Sequence, residues 1–358
     1  GAAGTERTLQ DGTQLLQASA DVRHEYVARR VDPAPVSNES IDAIHRPNMG
    51  PTNKVLLFFA VGSKPFARKL VRKNVDHART FRDLTFDLYL AHYDNNRSTW
   101  YKELGDWYPQ NVRYSAQVSG LKFWLARDLL LVKQRYERPG LYGPQPYEPS
   151  VMSKLPTVDV DSYEFLWILD EDAAFYTSDL GRMVQLARDS GASIMTPAFQ
   201  TIENPESALV DAKHSRSIVH CQAGDSDCEI QYPNPSCDYR LVNYVEVSFT
   251  LMRTQAFKNV IGRCYNCLPV RGSTWGLSRV WCNWDAEAEY KSPEKTCAII
   301  DGAPITHANA KTHTKYGKSN ANSANSRAAA LTNKTLGKYK TRAHQVFSCE
   351  KGTEGRFR

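Results

Sequence analysis

The run KVLLFFAVG, from Lys54 to Gly62, constrains this chain more than any other stretch. A strand without polar alternation has no face to give to water, so it must lie inside a sheet covered on both sides. Two later segments share the pattern: TFDLYLAHYD closes on Asp94, and YEFLWILDED closes on Asp170, Glu171 and Asp172. Between them, KPFARKLVRKNVDHA has helical periodicity, and NVRYSAQV reads as a third short strand. That strand leads into a predicted helix capped by Ser119, with Leu121, Leu125, Leu129, Val132 and Tyr136 on one face. After the loop RPGLYGPQPYEPS and the acidic triplet come a helix near Ser178 to Ser190, a stop at Gly191 and a strand in SIMTPAF. Strands alternating with helices predict an α/β domain: a Rossmann-like, mostly parallel sheet with helices on both faces.

The 358 residues, 41% of them hydrophobic, suffice for a large core. A net charge of +6 spread over this length describes a solvated surface and names no ligand. The longest apolar run, Val55 to Val61, falls far short of the roughly 20 residues that cross a bilayer. Residues 1–50 are polar and proline-bearing and read as a stem or linker, residues 51–317 as the main domain, and residues 318–358 as a basic tail. The opening GAAG reads as a cloning remnant, so membrane attachment is expected only through a removed N-terminal anchor. From Lys311 onward there are 11 Lys and Arg against 2 acids. Interleaved aromatics are sparse, and no nucleic-acid partner is expected.

Eight cysteines, all in the second half, predict a disulfide framework whose pairing the sequence leaves open. The alternative is zinc at Cys264-x-x-Cys267, with His214, His220, Cys221 and Cys228 upstream. Sequons at Asn38, Asn96 and Asn333 agree with passage through the secretory route, and a Golgi or other secretory lumen is the expected location.

Asp170 and Asp172, two apart on an extended segment, point the same way and suit a hard divalent ion, Mn²⁺ or Mg²⁺, that also holds a diphosphate. The competing reading makes Asp172 or Asp179 the cap of the following helix. His307, at the end of the apolar run in CAIIDGAPITH, is a candidate third ligand. NYVEVSFTLMR reads as one strand with Glu246 embedded in it, and a carboxylate among apolar neighbours needs a partner or a task. In GSTWGLSRVWCNWDAEAEY, read as a loop, Trp275, Trp281 and Trp284 stand beside Asp285 and Glu287. That pairing suits carbohydrate, or else packs a cysteine-stapled subdomain.

Taken in order, AVGSK, LAHYD, the segment with Lys122 and Trp124, FLWILDED, NYVEVSFTLMR, TWGL and IIDGAPITH resemble domain-of-unknown-function family 707 from about Lys54 to Gly317. That family is thought to be similar to glycosyltransferases of the GT-A fold. The resemblance implies a GT-A-like sheet with a cysteine-rich acceptor side, and a nucleotide-sugar donor held through the ion at Asp170 and Asp172. By the same analogy Val61, Gly62 and Asp94 would contact the nucleoside, and Lys122 the phosphates; the basic tail, from its own charge, is expected to wrap the surface near them. Glu171, Trp275 and Gly276 complete the expected donor-binding set. The family reads G-W-G-L-D where this chain has Thr274-Trp275-Gly276-Leu277-Ser278, so the general base passes to Glu246, Asp285 or Glu287. Only Lys213, His214 and Arg216 match the family's paired-histidine segment. The expectation is a metal-dependent transferase acting on a glycan or glycoprotein. The alternatives are a glycan-binding protein with altered chemistry and a metal-dependent phosphohydrolase.

Overall fold

The structure, a computed structural model, describes residues 52–132, 147–213, 217–310 and 318–353. The expected stem, Tyr136, and the partial histidine match at His214 and Arg216 lie outside these residues.

Eleven strands form one mixed sheet: β1 (Lys54–Val61), β2 (Thr85–His92), β3 (Val112–Gln117), β4 (Phe165–Asp170), β5 (Ala173–Ala174), β6 (Ile194–Ile202), β7 (Ile218–Val219), β8 (Tyr239–Val242), β9 (Phe249–Arg253), β10 (Cys297–His307) and β11 (Val346–Glu350). The order is β11-β8-β10-β6-β9-β4-β1-β2-β3, with β5 on β10 and β7 on β6. Strands β3, β2, β1 and β4 run parallel, as do β6 and β10, so the core of the sheet is mostly parallel. Strand β9 is antiparallel between β4 and β6, and β8 and β11 extend the sheet antiparallel beyond β10.

The uniform apolarity of β1 serves two cores. Leu56, Phe58 and Ala60 pack on one face against Phe123, Leu125 and Leu129. Val55, Leu57, Phe59 and Val61 pack on the other against Ala67, Val71 and Val75 of α1 (Pro65–Ala78) and against Leu180, Met183 and Val184. Each buried Val, Leu, Phe or Met side chain here contributes about 1.5–3 kcal/mol relative to exposure. Proline opens α1, where its missing N–H is no loss.

Where the chain departs from its periodicity, local hydrogen bonds explain it. Helix α2 (Lys122–Ala126) starts after Leu121 rather than at Ser119, whose hydroxyl instead accepts from Asn95 Nδ2 at 3.2 Å. It continues as a π-helix over Arg127–Val132. Asp179, and not Asp172, caps α3 (Leu180–Asp189), accepting from Arg182 N at 2.8 Å, and Gly191 with φ +62° ends the helical path. The segment read as a loop around Trp281 is helix α4 (Leu277–Ala288), which buries Leu277, Val280, Trp281, Cys282, Asp285 and Ala286.

Only the second half of NYVEVSFTLMR is a strand, β9; residues 243–248 before it bridge from the end of β8. Val242 ends β8 opposite Cys297 at the start of β10, whereas Phe249 begins β9 opposite Leu169 at the end of β4. The chain between must travel from one end of the sheet to the other, crossing β10 and β6, so it has no ladder to join. Glu246 rides on that crossing, where its carboxylate accepts from Ser248 N at 2.6 Å.

The basic tail is likewise more than a surface wrap. Helix α5 (Lys318–Leu336) buries Ala328 and Leu336, and β11 pairs with β8 in the main sheet. Residues 50–358 form one unit, with no boundary at 318.

All eight cysteines are oxidised: Cys221–Cys228, Cys237–Cys349, Cys264–Cys267 and Cys282–Cys297. Cys264 and Cys267 pair with each other, which removes the zinc reading. Four disulfides belong to an oxidising, secreted or lumenal environment. No helix among the described residues is long and apolar enough to cross a membrane.

Thiol titration of the denatured, unreduced protein is therefore expected to find less than about one free thiol per chain. Cys237–Cys349 closes a sequence separation of 112 residues, so replacing both partners with serine should cost about 2–5 kcal/mol in denaturant unfolding. A loss below about 0.5 kcal/mol would show that β11 is held by its pairing alone.

Candidate functional site

Strand β1 has β2 on one side and β4 on the other, and the chain leaves β1 for β2 and β3 before returning to β4. In open α/β sheets, such a reversal opens a crevice beyond the carboxyl ends of the two strands. Val61 and Gly62 end β1, Asp94 follows β2, and Asp170, Glu171 and Asp172 end β4, so the topology gathers them in one place.

Several of these residues build the crevice rather than present a side chain to it. Val61 is wholly buried, and its carbonyl accepts from Tyr93 N at 3.1 Å. Gly62 donates its N–H to the Glu171 carboxylate and accepts from Trp100 Nε1 at 3.0 Å. Glu171, only 2% exposed, also accepts from the Tyr93 hydroxyl at 2.7 Å. Asp94 accepts from Ser63 N at 2.6 Å and from Asn96 N at 3.1 Å. The middle acid of the triplet thus ties the ends of β1, β2 and β4 together. A side chain at Gly62 would start 2.6 Å from the Tyr93 hydroxyl, so close approach explains the glycine.

Asp170 and Asp172 face elsewhere. Asp170 lies 2.6 Å from Lys122 Nζ, at the start of α2, and the same ammonium donates to the Ser248 carbonyl at 2.5 Å. Enclosure pushes the Asp170 carboxyl above its usual range and Asp172 adds to that, while Lys122 pulls it down. Asp172 is brought to His307 by the pairing of β5 with the end of β10, where Ala173 stands opposite His307. His307 Nε2 is 3.3 Å from Asp172 Oδ2, which also accepts from Ala310 N at 3.0 Å. Thr201 Oγ1 sits 3.2 Å from His307 Nδ1 and orients the ring. Burial works to lower the His307 pKa, but the hydrogen bond and charge of Asp172, with Asp170 and Glu246 behind them, outweigh it and raise it.

No three acid, histidine or cysteine side chains among the described residues close around one point tightly enough to hold an ion unaided. The donor set still suits a diphosphate-bridged Mg²⁺ or Mn²⁺, which takes one or two carboxylates and fills its remaining positions with phosphate and water oxygens. Asp172 Oδ1 supports that fit, being buried and without a hydrogen-bond partner.

A second feature adjoins the first. A cavity of about 1120 Å³ is lined by Glu246, Trp275, Gly276, Ser278 and Thr332, among others. Glu246 lines the cavity, and Ser248, which donates its N–H to the Glu246 carboxylate, accepts from Lys122 at the crevice through its carbonyl. Trp275 is 62% exposed at the cavity wall, whereas Trp281 is fully buried against Phe123 and Trp284 packs on Tyr339. The remaining candidate bases stand apart. Asp285 is 0% exposed, bonded to Asn259 Nδ2 at 3.1 Å and pushed upward by burial, and it does not line the cavity. Glu287 is on the outer face of α4, paired with Lys338 and the Tyr339 hydroxyl.

Sequence reasoning missed Tyr93, which lay unread beside Asp94 in LAHYD. It also missed Tyr244, Arg279 and Thr332, for which no local motif gives a signal.

Replacing Gly62 with alanine should cost about 1–3 kcal/mol in denaturant unfolding. The Gly62→Ala/Tyr93→Phe double variant should be about 1 kcal/mol more stable than the two single losses added together. Strict additivity would show that the two side chains do not meet.

Comparison with curated proteins returned no match. The family described as "Protein of unknown function (DUF707)" matches residues 155–349, a span running from just before β4 to the end of β11. The chain belongs to domain-of-unknown-function family 707.

Proposed function

We propose that this protein is a metal-dependent glycosyltransferase of GT-A type, working in the secretory pathway, the Golgi included, and moving a sugar from a nucleotide donor to a glycan or glycoprotein. One observation carries the reading: an acidic crevice at a sheet switch point is joined to the segment that carries Glu246 into a roomy cavity with an exposed tryptophan, because Lys122 bonds both Asp170 and the Ser248 carbonyl. Asp170, Asp172 and His307 are the residues that would hold Mn²⁺ or Mg²⁺. When bound there, the ion supplies positive charge to the diphosphate as it leaves.

The chain's own groups cover the rest. Lys122, fixed between Asp170 and the Ser248 carbonyl, offers a second positive charge at the crevice. Trp275 gives an apolar platform for a sugar ring at the cavity wall. Glu246 takes the proton from the acceptor hydroxyl as that oxygen bonds to the anomeric carbon and the bond to the donor phosphate breaks, an inverting transfer. Its backbone neighbour Ser248 N holds the carboxylate in place, which favours a fixed base over a mobile one. Ser278, in the position of the family's aspartate, lines the same cavity and has no basic group to contribute. That substitution makes a glycan-binding protein without turnover the reading to test against.

Incubation with a panel of nucleotide sugars and Mn²⁺ should release nucleotide. Glu246→Gln should lower kcat by about 10²- to 10⁴-fold with donor affinity nearly unchanged. Mn²⁺ with a nucleoside diphosphate should raise Tm, and Asp172→Asn should abolish the rise. Glycan binding without nucleotide release would overturn the reading in favour of a lectin-like protein. Cleavage of a simple phosphate ester instead would favour a phosphohydrolase.

A further inference from the structure

The cavity beside Glu246 carries as many basic as acidic side chains, three of each, but they are not equally committed. Asp227 grips Arg279 with both oxygens, at 2.6 and 2.7 Å, and lies 3.1 Å from His344 Nε2. Asp225 accepts from Cys228 N at 3.2 Å as a helix cap, and Glu246 accepts from Ser248 N at 2.6 Å. The Arg279 charge is therefore already taken by Asp227, while Asp225 and Glu246 are each fixed in place by a backbone N–H.

Lys340 and Arg342 are different. Both line the cavity and are exposed, and neither has a carboxylate at ion-pair distance among the described residues. Their placement follows from the residue between them. Thr341 is 4% exposed, donates its hydroxyl to the Asn243 carbonyl at 3.0 Å and donates its N–H to the Arg279 carbonyl at 2.7 Å. Lys340 has an extended backbone, and Thr341, anchored on both sides, fixes the stretch of chain from which both cations reach the cavity. Beside Gly276 on the cavity lining, Thr332 is 3% exposed and its hydroxyl has no hydrogen-bond partner among the described residues. An unpartnered buried hydroxyl in a cavity wall is a place for a ligand hydroxyl.

We infer that the cavity takes an anionic oligosaccharide: its ring stacks on Trp275, a hydroxyl meets Thr332, and its carboxylate or sulfate group lies between Lys340 and Arg342. The inference rests on the transferase reading only for the cavity's role as acceptor site. The saccharide chemistry follows from the lining itself. Arginine with a carboxylate or sulfate makes charge-assisted bonds about twice as strong as neutral ones, and the neighbouring ammonium adds a point charge.

The test uses calorimetry on the full chain with three probes: a tetrameric galacturonan, a sulfated galactan tetrasaccharide and an uncharged tetraglucoside. At least one acidic probe should bind about tenfold tighter than the uncharged one, an advantage that shrinks as salt is raised. Whether the galacturonan or the sulfated probe gains identifies the acid as carboxylate or sulfate. The Lys340→Gln/Arg342→Gln variant should erase the advantage. Lys334→Gln/Lys338→Gln, which removes the same charge from residues outside the cavity lining, should keep it. Equal binding of all three probes, no binding of either acid, or equal loss in both double variants would overturn the inference. Release of nucleotide from a nucleotide sugar with no saccharide present tests the transferase reading separately, because it does not involve the cavity's ligand.

Discussion

The carboxylate of Glu171 is the point on which the crevice depends. Buried beneath two more acids, it would be repelled and desolvated were it not receiving the Gly62 N–H and the Tyr93 hydroxyl. Those two donors come from the ends of β1 and β2, so one anion holds three strand ends in register with the acidic turn. With Glu171 committed inward, Asp170 and Asp172 turn to the other side. One meets Lys122, and the other meets His307. The acidity of the triplet is thus divided between architecture and chemistry.

How much of this could be read from the sequence depended on how locally each feature is encoded. The parallel half of the sheet was legible because unbroken apolarity such as KVLLFFAV admits little else, and α1 and α3 follow from their own periodicity and caps. The family resemblance was legible too, through an ordered series of segments. The crossing that carries Glu246 was not, because NYVEVSFTLMR has strand composition throughout. Only the distant partners of its two ends, Cys297 and Leu169, reveal that the chain must break there. Asp285 and Glu287 were misplaced for a related reason. The Trp-rich stretch hides the helical spacing that turns Asp285 inward toward Asn259 and Glu287 outward toward Lys338. Glu171, Val61 and Asp94 were located correctly at strand ends, but pattern alone does not separate a carboxylate that binds from one that braces.

The two halves of the site differ in construction. The crevice side is built from strand ends and short turns, where backbone hydrogen bonds fix geometry within narrow limits. The cavity side is assembled from a helix start at Gly276, the crossing at Glu246, and α5 with the irregular segment after it. Disulfides brace that second half. Cys282–Cys297 ties α4 to β10, and Cys237–Cys349 ties β11 to the chain just ahead of β8. Covalent bracing fixes elements that are far apart in the sequence against one another.

Because one cavity wall is drawn from α5 and from Lys340 to Arg342, the order in which the polypeptide is made matters. As synthesis proceeds, the crevice has all its parts once β10 and Ala310 have emerged. The cavity stays open-sided until some thirty further residues arrive, and Cys237 waits until Cys349 follows. A chain truncated before Lys318 would therefore carry the acidic crevice with no enclosure beside it. The same early stop leaves Cys237 without its partner, a free thiol by which an unfinished molecule is distinguishable from a finished one.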